Sequence, residues 1–214
     1  MARRATQTLR ILDVYESADA QQIAAGLGWY AEAHHIAEDL SDSTGVSIAQ
    51  ASGILAALSP QVSWGFNVEW AYGVAQGDTT RRGLGLSLGR ALMIQRNPDT
   101  DPLDILGGRK VRAFYSAILT SGFTDQVVID RHAYDLAEDT RGSHLSLTDK
   151  RSRVTAENYR NAAKRLQRSG TMITACQLQA TTWLTWRARY WAEGAWDGYA
   201  TDRARAPKVS EVAF

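Results

Sequence analysis

Apolar residues recur three and four positions apart over most of this chain, the spacing that turns one face of a helix toward a core. That spacing predicts a helix over 6–15, with Leu9, Leu12 and Val14 inward, and a second over 19–40, bent near Gly26 and Gly28. The core face of the second is Ile23, Leu27, Tyr30, Ile36 and Leu40. Ser47 reads as the N-cap of a small, very apolar and deeply buried helix over 48–58 that ends at Pro60. The next helix starts near Ser63 and carries Phe66, Trp70 and Val74 on one face. Residues 77–87 read as a connection, and 97–102, with two prolines and two aspartates, as a turn cluster. Further helices are expected after the glycine pair at 107 and 108, with apolar helical spacing over 111–121, after Asp130, over 155–168 and over 171–191, with a polar loop at 139–153. Strand alternation is confined to 126–129. The expected fold is all-α, a single helical domain over 1–214 with a flexible tail from about residue 198.

Charge changes the picture more than composition does. The formal net charge is only +1, yet residues 11–80 hold nine acids and no lysine or arginine, while 81–214 hold 21 basic residues against 14 acids. The densest basic stretch, 150–168, has seven lysines and arginines, among them Lys164 and Arg165, against Glu157 alone. Such a face suits nucleic-acid phosphates, and equally well a solvated helix surface. One cysteine, Cys176, excludes a disulfide framework and a four-cysteine metal or iron–sulfur site within the chain. His34 and His35 are adjacent, so a helix cannot turn both toward one ion, and neither a metal nor a soluble cofactor is expected. No apolar run approaches the roughly 20 residues that span a bilayer, and Met1-Ala2-Arg3-Arg4 leads into no signal-like segment. The expectation is a cytoplasmic protein without a membrane partner.

Candidate chemistry centres on Val127-Val128-Ile129-Asp130-Arg131-His132-Ala133, where an apolar run ends in a carboxylate at a helix start. Desolvation there raises a carboxylate pKa while the helix terminus favours its charged form, a setting for a tuned acid or base. Upstream, Gly107-Gly108-Arg109-Lys110 forms a turn followed by cations, so Lys110 and Asp130 can face one site across a helix-turn unit. Each residue has a structural alternative. Asp130 can be an N-cap, Lys110 an exposed helix-start cation, and Gln61 a partner for backbone groups after Pro60. His132 is expected to be a packed histidine, about 100° or more around the helix from Asp130. Trp183, Trp186, Tyr190 and Trp191 suit a core, or with Arg187 and Arg189 an aromatic and basic wall for bases.

Ile54-Leu55-Ala56-Ala57-Leu58-Ser59-Pro60-Gln61-Val62-Ser63-Trp64, followed by Asn67 and Ala71, resembles the early signature of the helix-hairpin-helix DNA glycosylase superfamily. The stretch from Gly107 to Ala137 is similar to that superfamily's hairpin, lysine, intervening helix and Asp-x-His. Here the hairpin is shortened and lacks its usual proline. The pattern is also similar to small phage proteins and, more distantly, to glycosylase-like phage enzymes that remodel modified thymines. The resemblance implies a two-lobed helical fold and a DNA-binding enzyme, located in the host cytoplasm if phage-encoded, that acts on a nucleobase at a flipped nucleotide. Group transfer onto a modified thymine and a non-catalytic DNA-binding or interaction protein are the alternatives. Asp130 matches the catalytic aspartate and Lys110 the amine that attacks C1′ in bifunctional members. Gln61 matches the residue that fills the vacated stack, with Trp64 able to assist it, while Asn67 follows in the same signature. Gly107, Gly108 and Arg109 fall on the phosphate-holding hairpin, and Arg131 flanks the aspartate.

Overall fold

The starts of the helices are written in short polar signals. Asp19 and Gln22 close a reciprocal capping box, each side chain bonded to the other's backbone N–H, at the head of a 25-residue helix. Ser47 and Gln50 do the same at the next. The computed structural model describes residues 2–60, 62–80, 85–140 and 146–191. Among these are α1 (Ala2–Glu16), α2 (Ala20–Thr44), α3 (Ile48–Leu58), α4 (Trp64–Ala75) and α5 (Gly85–Arg96). They are followed by α6 (Pro102–Ile105), α7 (Arg109–Leu119), α8 (Arg131–Glu138), α9 (Asp149–Arg168) and α10 (Ala175–Trp191). The chain is all-α, as its periodicity predicts, and no helix among the described residues is long and apolar enough to cross a membrane.

Two apolar clusters organise these helices. The first joins α2, α3, α4, α5 and α7 around α3, where Ile54, Leu55 and Leu58 are fully enclosed. The second joins α1, α8, α9 and α10 around Ile11, Ile129, Tyr134, Tyr159 and Leu178. α10 serves both, giving Cys176 and Ala180 to the first and Leu178 and Trp186 to the second. It can do so because α2 lies almost in contact with its backbone. A Cβ on Gly26 would sit 2.3 Å from the Thr181 Cα, so only glycine fits there. α2 runs through Gly26 and Gly28 as one continuous helix, in which Gly26 serves close packing against α10.

Residues 126–129 belong to no helix or strand, so the alternation read there is real but builds no sheet. Val127 and Ile129 pack into the second cluster and Val128 into the first. Successive side chains of an extended segment point to opposite sides. Here the two sides are two helical cores rather than the faces of a sheet.

Other boundaries and faces also moved. Leu9 is 50 % exposed, and α1 instead buries Gln7, Thr8, Ile11 and Val14. Two polar side chains can face inward because Thr8 Oγ1 donates to Asn158 Oδ1 (2.8 Å) and Asn158 Nδ2 donates to Gln7 Oε1 (2.7 Å). Phe66 is 42 % exposed, and the buried face of α4 is Asn67, Ala71 and Val74. α7 begins at Arg109, directly after the glycine pair as expected. The loop expected over 139–153 gives way to α9 at Asp149, because the Thr148 hydroxyl accepts from the Arg151 N–H and caps the helix. α10 starts four residues later than expected, where Thr174 and Gln177 form a capping box with both bonds at 3.0 Å. The tail from about residue 198 lies outside the described residues.

Candidate functional site

The crossing at 126–129 delivers Asp130 to the head of α8, at the seam between the two clusters. Its backbone is extended (φ −97°, ψ −172°), so Asp130 precedes the helix as its N-cap. One carboxylate oxygen, Oδ1, accepts the Ala133 N–H at 2.8 Å. The other, Oδ2, accepts the indole N–H of Trp183 from α10 at 3.1 Å. The capping reading of the sequence is therefore correct for one oxygen, and the second oxygen is turned to a different element. Part of Asp130 reaches the surface while its carboxyl is hemmed in by protein. Burial by itself would raise the pKa of that carboxyl. The charges of His132 and Lys110 and the bonds from Ala133 and Trp183 outweigh it, and hold Asp130 below its ordinary value of 3.8.

One of those contributors was read differently in the sequence. His132 was expected to point away, but Asp130 is not a helical residue, so the 100° step between neighbours on a helix does not apply between them. The His132 ring lies 6.5 Å from that of Trp183, on the same side as the carboxylate. Lys110, half-buried at the start of α7, approaches from the other cluster and acts on Asp130 through its charge.

Aromatic rings extend the site away from Asp130. Trp183 lies 6.4 Å from Trp29 of α2, centroid to centroid, and Trp29 lies 5.2 Å from Trp64 at the head of α4. Phe114, one turn after Lys110 on α7, packs 5.8 Å from Trp29 and 6.1 Å from Trp64. Trp29, Trp64 and Trp183 are all partly exposed. The Arg187 guanidinium, one turn along α10, covers Trp183 at 4.5 Å. The result is an apolar, flat-ringed surface with a carboxylate at one end and cations beside it. Trp29 escaped the sequence reading, because an aromatic at helical spacing in an apolar helix carries no mark that separates a surface platform from a core.

The other predicted residues fall in different places. The glycine pair joins α6 to α7 through the short turn Leu106-Gly107-Gly108, two helices and a tight connection. Gly108 has φ +78°, a conformation that favours glycine, whereas a Cβ on Gly107 would meet only the Arg90 guanidinium, the movable end of a flexible side chain. Arg109, next to Lys110, turns away from Asp130 and pairs with Asp149 of α9 at 3.4 Å. Arg131 opens α8 beside Asp130. Lys164 and Arg165 are exposed on α9, remote in sequence from the aromatic surface. Asn67 is buried, and its Nδ2 donates to the Leu55 carbonyl at 3.0 Å, so it ties α4 to α3. Gln61 lies outside the described residues. Among the histidines, His34 bonds the Ile118 carbonyl at 3.0 Å and His35 bonds Glu38 at 2.8 Å.

Fold and site together define an all-helical protein with an ionised, indole-bonded carboxylate between two cores. Residues 1–190 match a family of unknown function, DUF7178, and the chain belongs to that family. No curated protein and no solved structure matches it.

Proposed function

We propose that the chain is a DNA-binding enzyme with a glycosylase-type centre, acting on a nucleobase, or on a group the base carries, at a nucleotide swung out of the duplex. The observation that carries this reading is the Asp130 carboxylate, bonded to Trp183 at one end of the ring surface formed by Trp29, Trp64 and Trp183, with Lys110 beside it. Flat rings offer stacking to any base, worth about 1–3 kcal/mol each. A carboxylate held below its ordinary pKa stays ionised at neutral pH. That favours electrostatic stabilisation of positive charge at the sugar C1′ over proton abstraction, since so weak a base accepts protons poorly. In hydrolysis, the C1′–N bond breaks with its electron pair leaving on the base, and water oxygen bonds C1′ as its proton passes to solvent or to the departing base. In a bifunctional reaction the Lys110 amine would attack C1′ in a water's stead, displacing the base and forming a Schiff base after ring opening. The α6–turn–α7 unit and the sequence resemblance to helix-hairpin-helix glycosylases, with their two-lobed architecture, support the same reading.

The test is base release from oligonucleotides carrying a panel of modified and damaged bases, followed by cleavage at abasic sites. The expected result is release of at least one base by the wild type and none by Asp130→Asn. Equal turnover by the two removes Asp130 from the chemistry. Release of no base by the wild type, with Asp130→Asn folded as before, favours the N-cap role alone and a non-catalytic protein.

A further inference from the structure

The face of α7 opposite Lys110 closes a second, separate feature. Arg109, Arg112 and Ser116 stand one and two turns apart on it and face α9 across a groove of about 770 Å³. α9 contributes Arg153 and Arg160 from the other side. Four guanidinium groups meet two carboxylates, Asp149 and Glu157, so the groove is net positive. Three of the arginines are already set in place by the protein. Arg112 donates to the Leu103 and Leu106 carbonyls, Arg160 donates to the Asp125 carbonyl at 2.9 Å and pairs with Glu157 at 3.3 Å, and Arg109 pairs with Asp149. Arg153 is exposed and has no protein partner among the described residues. A cation left without a partner beside three held in position is an arrangement that gains from an incoming anion.

We propose that this groove seats the phosphates of one nucleic-acid strand, an inference that rests on the DNA-acting reading above. The extent of the charge decides between a strand and a small phosphorylated ligand. Beyond Arg160, the same side of α9 continues through Lys164 and Arg168, four and eight residues on, and both are exposed. From Arg153 to Arg168 the helix rises about 22 Å, at roughly 1.5 Å per residue. A single nucleotide cannot reach along that line, whereas a backbone with a phosphate every 3.4 Å or so of duplex axis can. The groove begins at Gly108 and Arg109, so a strand lying in it ends at the head of α7, where Lys110 stands.

The experiment is fluorescence anisotropy of a labelled oligonucleotide, single-stranded and duplex, titrated with the full-length protein across a range of salt concentrations. The double variant Arg153→Ala/Lys164→Ala should lower the slope of log affinity against log salt by about 0.7 for each lost contact on a single strand or about 0.9 on a duplex. Arg96→Ala on α5 should keep the wild-type slope. Neither Arg153 nor Lys164 holds another part of the protein, so the double variant should melt as the wild type does. A wild-type slope in the double variant, with the wild type binding normally, overturns the groove and leaves the DNA reading standing. Displacement of the oligonucleotide by pyrophosphate or thymidine monophosphate with higher affinity than the strand itself overturns the strand in favour of a small phosphate ligand. Absence of oligonucleotide binding by the wild type even at low salt removes the DNA reading, and this proposal with it.

Discussion

The indole N–H of Trp183 donates to the Asp130 carboxylate across 53 residues of sequence, at 3.1 Å. Because the other Asp130 oxygen caps α8, a single side chain fixes both the start of a helix and the docking of α10 against it. Replacing Trp183 with phenylalanine keeps the ring and removes the donor. The Asp130 pKa should then rise toward its ordinary value, and any activity that needs the ionised carboxylate should lose its acid limb at a higher pH than in the wild type. A pH–rate profile unchanged by Trp183→Phe would show that the indole bond does not tune this carboxyl.

The same depressed pKa links Asp130 to stability, with a definite sign. A carboxyl more acidic in the folded than in the unfolded state stabilises the fold above its unfolded pKa of roughly 3.9, and that contribution disappears as pH falls through the folded value. Urea denaturation of wild type and Asp130→Asn should therefore give a stability difference that is constant near neutrality and shrinks in acid below about pH 4. Asparagine is itself a good cap, so the variant should still fold cooperatively. Asp130→Ala, which removes the cap as well, should cost about 1 kcal/mol or more. A wild-type-to-Asn difference that does not change with pH would contradict the depressed pKa.

Lys110 gives a chemical signature if it attacks C1′. Borohydride added during turnover should leave a covalent protein–DNA adduct, and Lys110→Ala should abolish it. A substrate that is processed without any adduct would make the enzyme monofunctional, with water as the nucleophile.

The α2–α10 contact predicts a large effect from one methyl group. Gly26→Ala would place its Cβ 2.3 Å from the Thr181 Cα, which forces the two helices apart. Overpacking of this kind costs typically about 1–3 kcal/mol, and the backbone neighbour puts this case at the upper end or above. Thermal melts should show it plainly, while Gly28→Ala, which meets open space, should be neutral or slightly stabilising.

Cys176 is fully buried, and burial pushes its thiol up to about 12 against a smaller opposing contribution from its bond to Tyr30. It should not react with thiol reagents in the native protein at mildly alkaline pH, and should become titratable only on unfolding. Rapid labelling of the folded chain would mean that α10 opens from α2 far more readily than the Gly26 contact allows.

The helices were legible because their signals are local. Asp19 to Gln22 and Ser47 to Gln50 carry their own caps, and the apolar spacing of α2, α3 and α7 lies within a few turns. What escaped depends on partners far away in sequence. Gln7 and Thr8 look like surface residues until Asn158 is brought beside them, and Leu9 is displaced from the core as a result. The alternation at 126–129 was real, but its meaning required knowing that two cores, not a sheet, flank the segment. At the site, the capping geometry of Asp130 could be read from Asp-x-x-Ala alone. The Trp183 bond, the orientation of His132 and the place of Trp29 follow from how α2, α8 and α10 meet, which no local spacing encodes.

The division of labour between the two Asp130 oxygens has an evolutionary consequence. Asparagine at this position keeps the Oδ1 contact to Ala133 and so keeps α8, while discarding the negative charge. On the proposed function, a lineage could therefore lose the chemistry of this centre in one step while keeping the helix cap, at the cost of only the stability that the ionised carboxylate and its Trp183 bond contribute. If Asp130 carries the proposed chemistry, Asp or Asn at this position separates an active relative from a silent one, readable without any structure.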